Sequence, residues 1–355
     1  MNFNFKKQSS NIGGWKIILY FSIFIFVASL IFSFFYLTNL NNKFASYYQI
    51  NNSKTENRIC KNCARRLIDG VYVTKGQENN KIYAVVIDNQ PGGRPAFGIA
   101  EANLVYEAEA EGRITRYLAF FSNDLDLKKV GPVRSVRPYF VDWAKEFNAL
   151  LVHCGGSPEA LAKIKNEKVL SINEFYNGDY YWRASNMPAP HNIYTSTGNL
   201  TSYINKNNLA ASQIISWLYK DEDKKIATTS SPIIKIDFKD YDFAVQWNYD
   251  IINNEYVRYL NEKIDKDGNE KEIKAKNIII QFMETEVIDE KLRLKIQTIG
   301  QGKTLVCLDG ECREGLWKKI SGNSRTRYYV NGEEVAFNAG PTWVEVVREN
   351  FKINY

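Results

Sequence analysis

Apolar and polar positions divide the chain into three textures. Residues 17–37, IILYFSIFIFVASLIFSFFYL, form an apolar run without a single charge. A helix needs about 20 such residues to cross the hydrocarbon core, so the pattern predicts a transmembrane helix over 17–40. Residues 41–69 are rich in Asn, Lys and Ser, lack a period, and read as a linker. From 70 to 227, short apolar runs alternate with helical patterns. IYAVVID (82–88) predicts a buried strand ending at Asp88, followed by the turn cluster NQPGGRP. Residues 103–122 read as one or two strands, 137–147 as a helix, and NALLVHCGG (148–156) as a strand with a glycine turn. SPEALAKI (157–164) opens a helix with Ser157 as N-cap and Pro158 in the first turn. A further helical pattern covers 199–218. This alternation predicts an α/β N-terminal ectodomain.

TTSSP (228–232) marks a boundary. Beyond it, IIKIDF, FAVQWNY, EYVRYLNEK, NIIIQF, LRLKIQTIG, KTLVCL, TRYYVN and TWVEVV are short β-type runs separated by Asp, Gly and Asn. They predict a β-rich C-terminal domain over 228–355, a sandwich or barrel.

Charge gives the first segment an orientation. Lys6, Lys7 and Lys16 precede the apolar run, and no acidic residue occurs before Glu56. The positive-inside rule makes residues 1–16 a cytoplasmic tail, 17–40 a single-pass signal anchor in the cell membrane, and 41–355 extracytoplasmic. A cleaved signal peptide is the rival, but its apolar region spans only about 7–15 residues. No cysteine closes the run, so lipid attachment there is not expected. Of 46 basic residues, removing those three lysines leaves 43 against 40 acidic ones, too balanced for a nucleic-acid-binding surface. That balance is compatible with an anionic cell wall as neighbour.

Five cysteines outside the membrane point to disulfides. In CLDGEC (307–312), Asp309-Gly310 is a favoured two-residue hairpin turn, which sets Cys307 opposite Cys312 within bridging distance. Cys60 and Cys63 form a lone CxxC, better explained by a local disulfide than by zinc, which needs four ligands. Cys154 is left as a buried thiol. Neither a metal site nor a cofactor is expected, because no P-loop, GxGxxG or clustered metal-ligand pattern occurs.

The segment Tyr106–Thr115 carries the densest candidate chemistry. Period-2 alternation places Glu107, Glu109, Glu111, Arg113 and Thr115 on one face if the strand stays extended, with neighbours about 7 Å apart. Paired carboxylates in a cleft are the equipment of glycoside cleavage; a solvated sheet face is the plain alternative, and Gly112 is a place where the parity can break. His153 stands at a strand end and His191 in a proline-punctuated loop. Each is a candidate general base or a structural donor. In VGPVRSVRPYF (130–140), Arg134 and Arg137 sit at a helix start, the wrong sign for the helix dipole. Two compensating anions are open: an internal glutamate of the 105–111 strand, or a ligand.

DNQPGGRPAFG (88–98), VYEAEAEGRITRYLAFF (105–121), VGPVRSVRPYFVDWAKEFNALLVHCGGSPEAL (130–161), APHNIYTST (189–197), VQWNYDIINNEYVRYL (245–260) and GPTWVEVV (340–347) together resemble the YerB-like family. That is a bacterial, extracytoplasmic, two-part family of unknown function, commonly lipoproteins. This chain departs from it in lacking a lipid-bearing cysteine, in Arg113, and in Cys154. Within the matched motifs fall Asp88, Glu107, Glu111, His153 and His191, which we take as candidate catalytic residues. Arg94, Arg116, Arg134, Arg137, Ser157 and Asn192 are the candidate ligand-binding residues. The expected function is binding, with or without cleavage, of a cell-wall glycan or other anionic envelope ligand, Glu111 or Glu107 serving as the acid of a peptidoglycan hydrolase or lytic transglycosylase. The alternative is a non-catalytic envelope binding or assembly module that docks a protein or an anionic wall polymer.

Overall fold

The computed structural model describes residues 19–20, 23–29, 31–33, 62–210, 212, 214–222, 232–238 and 241–355. Half of the expected 17–40 span and most of the 41–69 linker lie outside these residues. Among the described residues, no helix is long and apolar enough to cross a membrane. The linker is shorter than expected. Cys63–Arg65 already pairs with Tyr72–Thr74, and Ile68 and the Arg66–Asp69 ion pair are buried. Cys63 is disulfide-bonded.

Residues 62–355 are organised around an eleven-stranded sheet. Its strands in chain order are β1 (Ile82–Asp88), β2 (Leu104–Glu111), β3 (Ile114–Ser122), β4 (Leu150–His153), β5 (Ser171–Asn173), β6 (Asn277–Met283), β7 (Gly300–Leu308), β8 (Glu311–Lys319), β9 (Arg327–Val330), β10 (Glu333–Glu334) and β11 (Thr342–Arg348). Their spatial order is β10-β9-β8-β7-β6-β11-β2-β3-β1-β4-β5. β11 therefore lies between β6 and β2, parallel to both, and joins the N-terminal strands to the C-terminal ones. β1 and most of β11 are buried along their length, as expected of strands covered on both faces.

Two apolar clusters cover the two faces. On one, Tyr83, Val85, Val105, Tyr117 and Trp343 pack against a small sheet formed chiefly by Ile233–Asp237, Ala244–Asp250 and Glu255–Leu260. The Ala244–Asp250 strand alternates between buried and partly buried positions because only one of its faces meets this core. On the other face, Leu104, Tyr106, Leu118 and Phe120 lie under helix α1 (Pro138–Lys145), where Tyr106 stacks on Trp143 at 4.8 Å. Each such buried side chain contributes roughly 1.5–3 kcal/mol relative to exposure.

The C-terminal half is β-rich but builds neither a separate sandwich nor a barrel. Its strands are divided between the shared sheet and the small one. Helix α2 (Pro158–Asn166) starts as expected, with Ser157 Oγ accepting from Ala160 N at 3.2 Å. The helix expected over 199–218 is α3 (Thr197–Lys206). It stops where Asn208 takes a left-handed φ of 51°, and Leu218–Lys220 is a strand instead. Cys307 faces Cys312 directly and is bonded to it, across a turn in which Asp309 and Gly310 have φ of 56° and 74°.

Candidate functional site

β1, β2 and β4 run in the same direction, and β3 runs antiparallel between β1 and β2. The ends of β1 and β2 and the start of β3 therefore bring Asp88, Glu111 and Arg116 to one edge of the sheet. This is the carboxyl-end position where open α/β sheets commonly hold ligands.

The pairing of β2 with β3 shifts register between Glu109 and Glu111. Glu107 stays on the face shared with Val105 and the small sheet, while the bulge turns Glu111 toward α1. Gly112 and Arg113, with φ of 59° and 66°, then form the hairpin turn. The single acidic face expected over 107–115 is thus divided: Glu107 and Glu111 serve opposite faces of the sheet.

Glu111 is held by two arginines. Arg137 donates from Nε to Oε2 at 2.9 Å and from Nη2 to Oε1 at 2.7 Å, and Arg116 Nη2 donates to Oε1 at 2.6 Å. Arg116 and Arg137 also donate to the Ser135 carbonyl, at 3.2 and 3.3 Å. Burial alone would raise the Glu111 carboxyl, but the Arg116 and Arg137 guanidinium groups overcome it and hold it below the usual carboxylate range. A general acid needs the opposite shift. The geometry therefore corrects the assignment of Glu111 as proton donor, and makes it the internal anion that Arg137 requires at the N-cap of α1.

Asp88 organises the neighbouring group. Its Oδ2 accepts from His191 Nδ1 at 2.5 Å and lies 3.3 Å from Arg134 Nε, while Oδ1 accepts from Gln90 N at 3.0 Å. Arg134 Nη1 donates to the Pro190 carbonyl at 3.0 Å. The glycines of PGG fit this arrangement. A Cβ on Gly93 would stand 2.7 Å from Asp88 Oδ2, and one on Gly92 would stand 3.5 Å from His191 Nε2. Three guanidinium groups thus meet two carboxylates. Arg116 is only 4% exposed, and its Nε has no acceptor. Burial, the Arg137 charge and the Arg134 charge lower its pKa against the pull of Glu111.

Glu107 belongs to a second buried group, between the sheets. It accepts from Asn89 Nδ2 at 3.0 Å, Thr115 Oγ1 at 2.8 Å and Arg258 Nη2 at 2.7 Å. Arg258 also pairs with Asp265, and both Glu107 and Arg258 are fully buried. Glu345, beside Glu107 on β11, accepts from Trp247 Nε1 at 2.9 Å. Glu107 is therefore closed off from any polymer and does not fit the acid role expected for it. Sequence reasoning missed Arg258 and Glu345. The available signal was a charge at an inward position of a strand whose other inward residues are apolar, in EYVRYL and in WVEVV.

The remaining candidates separate. Arg94 turns to the small-sheet side: its Nε donates to Asn89 Oδ1 at 2.9 Å, and it lines a cavity of about 270 Å³ with Tyr117, Leu260 and Asp265. His153 is 1% exposed, its Nδ1 is 2.7 Å from the Gly155 carbonyl, and burial pushes its pKa down to about 4. It is a neutral structural donor and does not face solvent as a base. Ser157 is occupied as a helix cap, and Asn192 Oδ1 accepts from Arg183 at 3.3 Å. Cys154 is a free thiol pushed up to about 12 by burial and by Glu174. No group of three or more His, Cys, Asp or Glu side chains among the described residues is placed to hold a metal ion.

The sequence and the fold have counterparts. The N-terminal domain of a family described as "Protein of unknown function (DUF3048)" matches residues 69–210, and its C-terminal domain matches 234–344. The chain is 32% identical over 269 residues to "Putative lipoprotein YerB" of Bacillus subtilis (strain 168), covering 74% of this chain and 80% of that protein. The crystal structure of YerB protein from Bacillus subtilis superimposes with a TM-score of 0.74 at 29% identity, covering 82% of this chain and all of that one. The chain is therefore a member of the two-part YerB-like DUF3048 family.

Proposed function

We propose that this is an extracytoplasmic, membrane-anchored envelope protein that binds an anionic cell-wall glycan at the Arg116–Arg134–Arg137 cluster and does not cleave it through Glu111. One observation carries the reading: three buried or half-buried guanidinium groups share two carboxylates, and Arg116 Nε is left without an acceptor. An uncompensated buried charge is costly, and an anionic ligand offsets that cost. The apolar run at 17–37 and the lipoprotein name of the Bacillus relative support the location. The test is co-sedimentation of the full chain, in detergent, with isolated sacculi. Wild type binds and releases no muropeptides, and Arg134→Gln binds more weakly. Equal binding by that variant overturns the site, and muropeptide release lost in Glu111→Gln overturns the non-catalytic reading.

A hydrolytic second reading is favoured by the Asp88–His191 contact alone. In a neutral imidazole this contact puts the proton on Nδ1 and the lone pair of a general base on Nε2. This reading requires a bond-breaking activity that His191→Ala abolishes while binding persists.

A further inference from the structure

We propose that Phe175 and Tyr176 form a stacking subsite for a pyranose ring whose anionic substituent is held by the arginine cluster. The inference rests on the anion-site reading above and adds the chemistry of the rest of the ligand. Phe175 and Tyr176 are 65% and 85% exposed, although Asn173 just before them is buried. Their backbone is fixed rather than loose. Asn173 Oδ1 accepts from Phe175 N at 3.3 Å and from Gly155 N at 2.9 Å, and the Asn173 carbonyl accepts from Tyr176 N at 3.0 Å. Two aromatic side chains are thus presented outward on a braced turn, where neither serves the core.

Gly155 ties this turn to the arginines. It has a φ of 64°, and a Cβ built on it would stand 3.0 Å from Phe175 Cε2 and 3.8 Å from Ser135 Oγ. Ser135 supplies the carbonyl to which Arg116 and Arg137 both donate. A bare backbone position therefore lies between the aromatic turn and the residue on whose carbonyl the two arginines converge. On the far side of the turn, Arg183 bridges Glu174 and Asn192, next to His191.

A pyranose presents an apolar C–H face and polar edges, which matches an aromatic ring rimmed by hydrogen-bonding groups. Its phosphate or carboxylate substituent matches guanidinium forks. Two exposed rings are far less than the roughly 800 Å² per partner of a stable protein interface, so the patch fits a saccharide better than a folded protein.

The test measures calorimetric affinity of the full chain in detergent for two probes, inorganic phosphate and N-acetylglucosamine 1-phosphate. Wild type is expected to prefer the sugar phosphate by about tenfold, the effect of one aromatic anchor. In Phe175→Ala/Tyr176→Ala the two affinities converge while that for inorganic phosphate is unchanged. Absence of a preference in wild type, or a preference that survives in the double variant, overturns the subsite and leaves the anion site standing. Failure of wild type to bind either probe overturns the anion site, and the subsite with it.

Discussion

Glu107 and Glu345 stand opposite each other on adjacent parallel strands, both fully buried, and only Glu107 has a guanidinium partner. Arg258 lies 2.7 Å from Glu107. Glu345 has the Trp247 indole on one oxygen and nothing on the other. Burial first, and then the Glu107 charge, push the Glu345 carboxyl well above its usual range despite Arg258, so it holds its proton. Two neighbouring carboxyl groups cannot both ionise in a dry interior, and the register decides which one keeps its proton.

Glu345→Gln is therefore expected to fold and to be at least as stable as wild type near neutrality. A folded pKa raised above the unfolded one contributes stability below the usual carboxylate range, lost as pH rises through the folded value. Glutamine removes that loss. Urea melts across neutral and alkaline pH should show a flatter profile for the variant, and an unchanged slope would refute the protonated assignment.

Glu107→Gln has the opposite expected outcome. It leaves the buried Arg258 charge with Asp265 as its one remaining ion-pair partner among the described residues, which costs about 3 kcal/mol. Chemical denaturation reads this directly. If Glu107→Gln and Glu345→Gln lose the same stability, the asymmetry described here is wrong.

Glu111→Gln should cost less, about 1–3 kcal/mol, because the Glu111 side chain remains 26% exposed and solvent screens its arginines. Its folded pKa is depressed, so its contribution is present above the usual carboxylate pKa and is lost as pH falls through the folded one. Wild type should lose more stability on acidification than Glu111→Gln. Parallel acid profiles would argue against the paired carboxylate.

Cys154 should be inert. Its thiol, pushed up to about 12, supplies almost no thiolate at pH 8. A thiol reagent that labels exposed cysteine within minutes should reach it only after unfolding. Rapid labelling of the native chain would mean that the Glu174 loop opens.

Local patterns were legible in the sequence because local rules produce them. Asp309-Gly310 could only turn the chain, so Cys307 had to meet Cys312. Ser157-Pro158 could only start a helix. The apolar run to Asp88 could only be an inner strand. The candidate site was half legible: Asp88, Glu111, Arg116, Arg134, Arg137 and His191 come together. The bulge before Glu111 was not visible, since one unpaired residue leaves no compositional trace yet moves Glu111 to the face opposite Glu107. Nor could spacing place Arg258 against Glu107 or Glu345 beside it, because those contacts join strands far apart in the chain.

The position of β11 has a consequence for the order of assembly. As the chain is made, β1, β2 and β3 are complete long before β11, so early pairing leaves β2 with one side open and Glu107 without Arg258. The gap closes only when a segment encoded near the other end threads between β6 and β2. Placement of a late strand at the centre means that a chain interrupted before it leaves β2 and β6 each with a bare edge at the middle of the sheet.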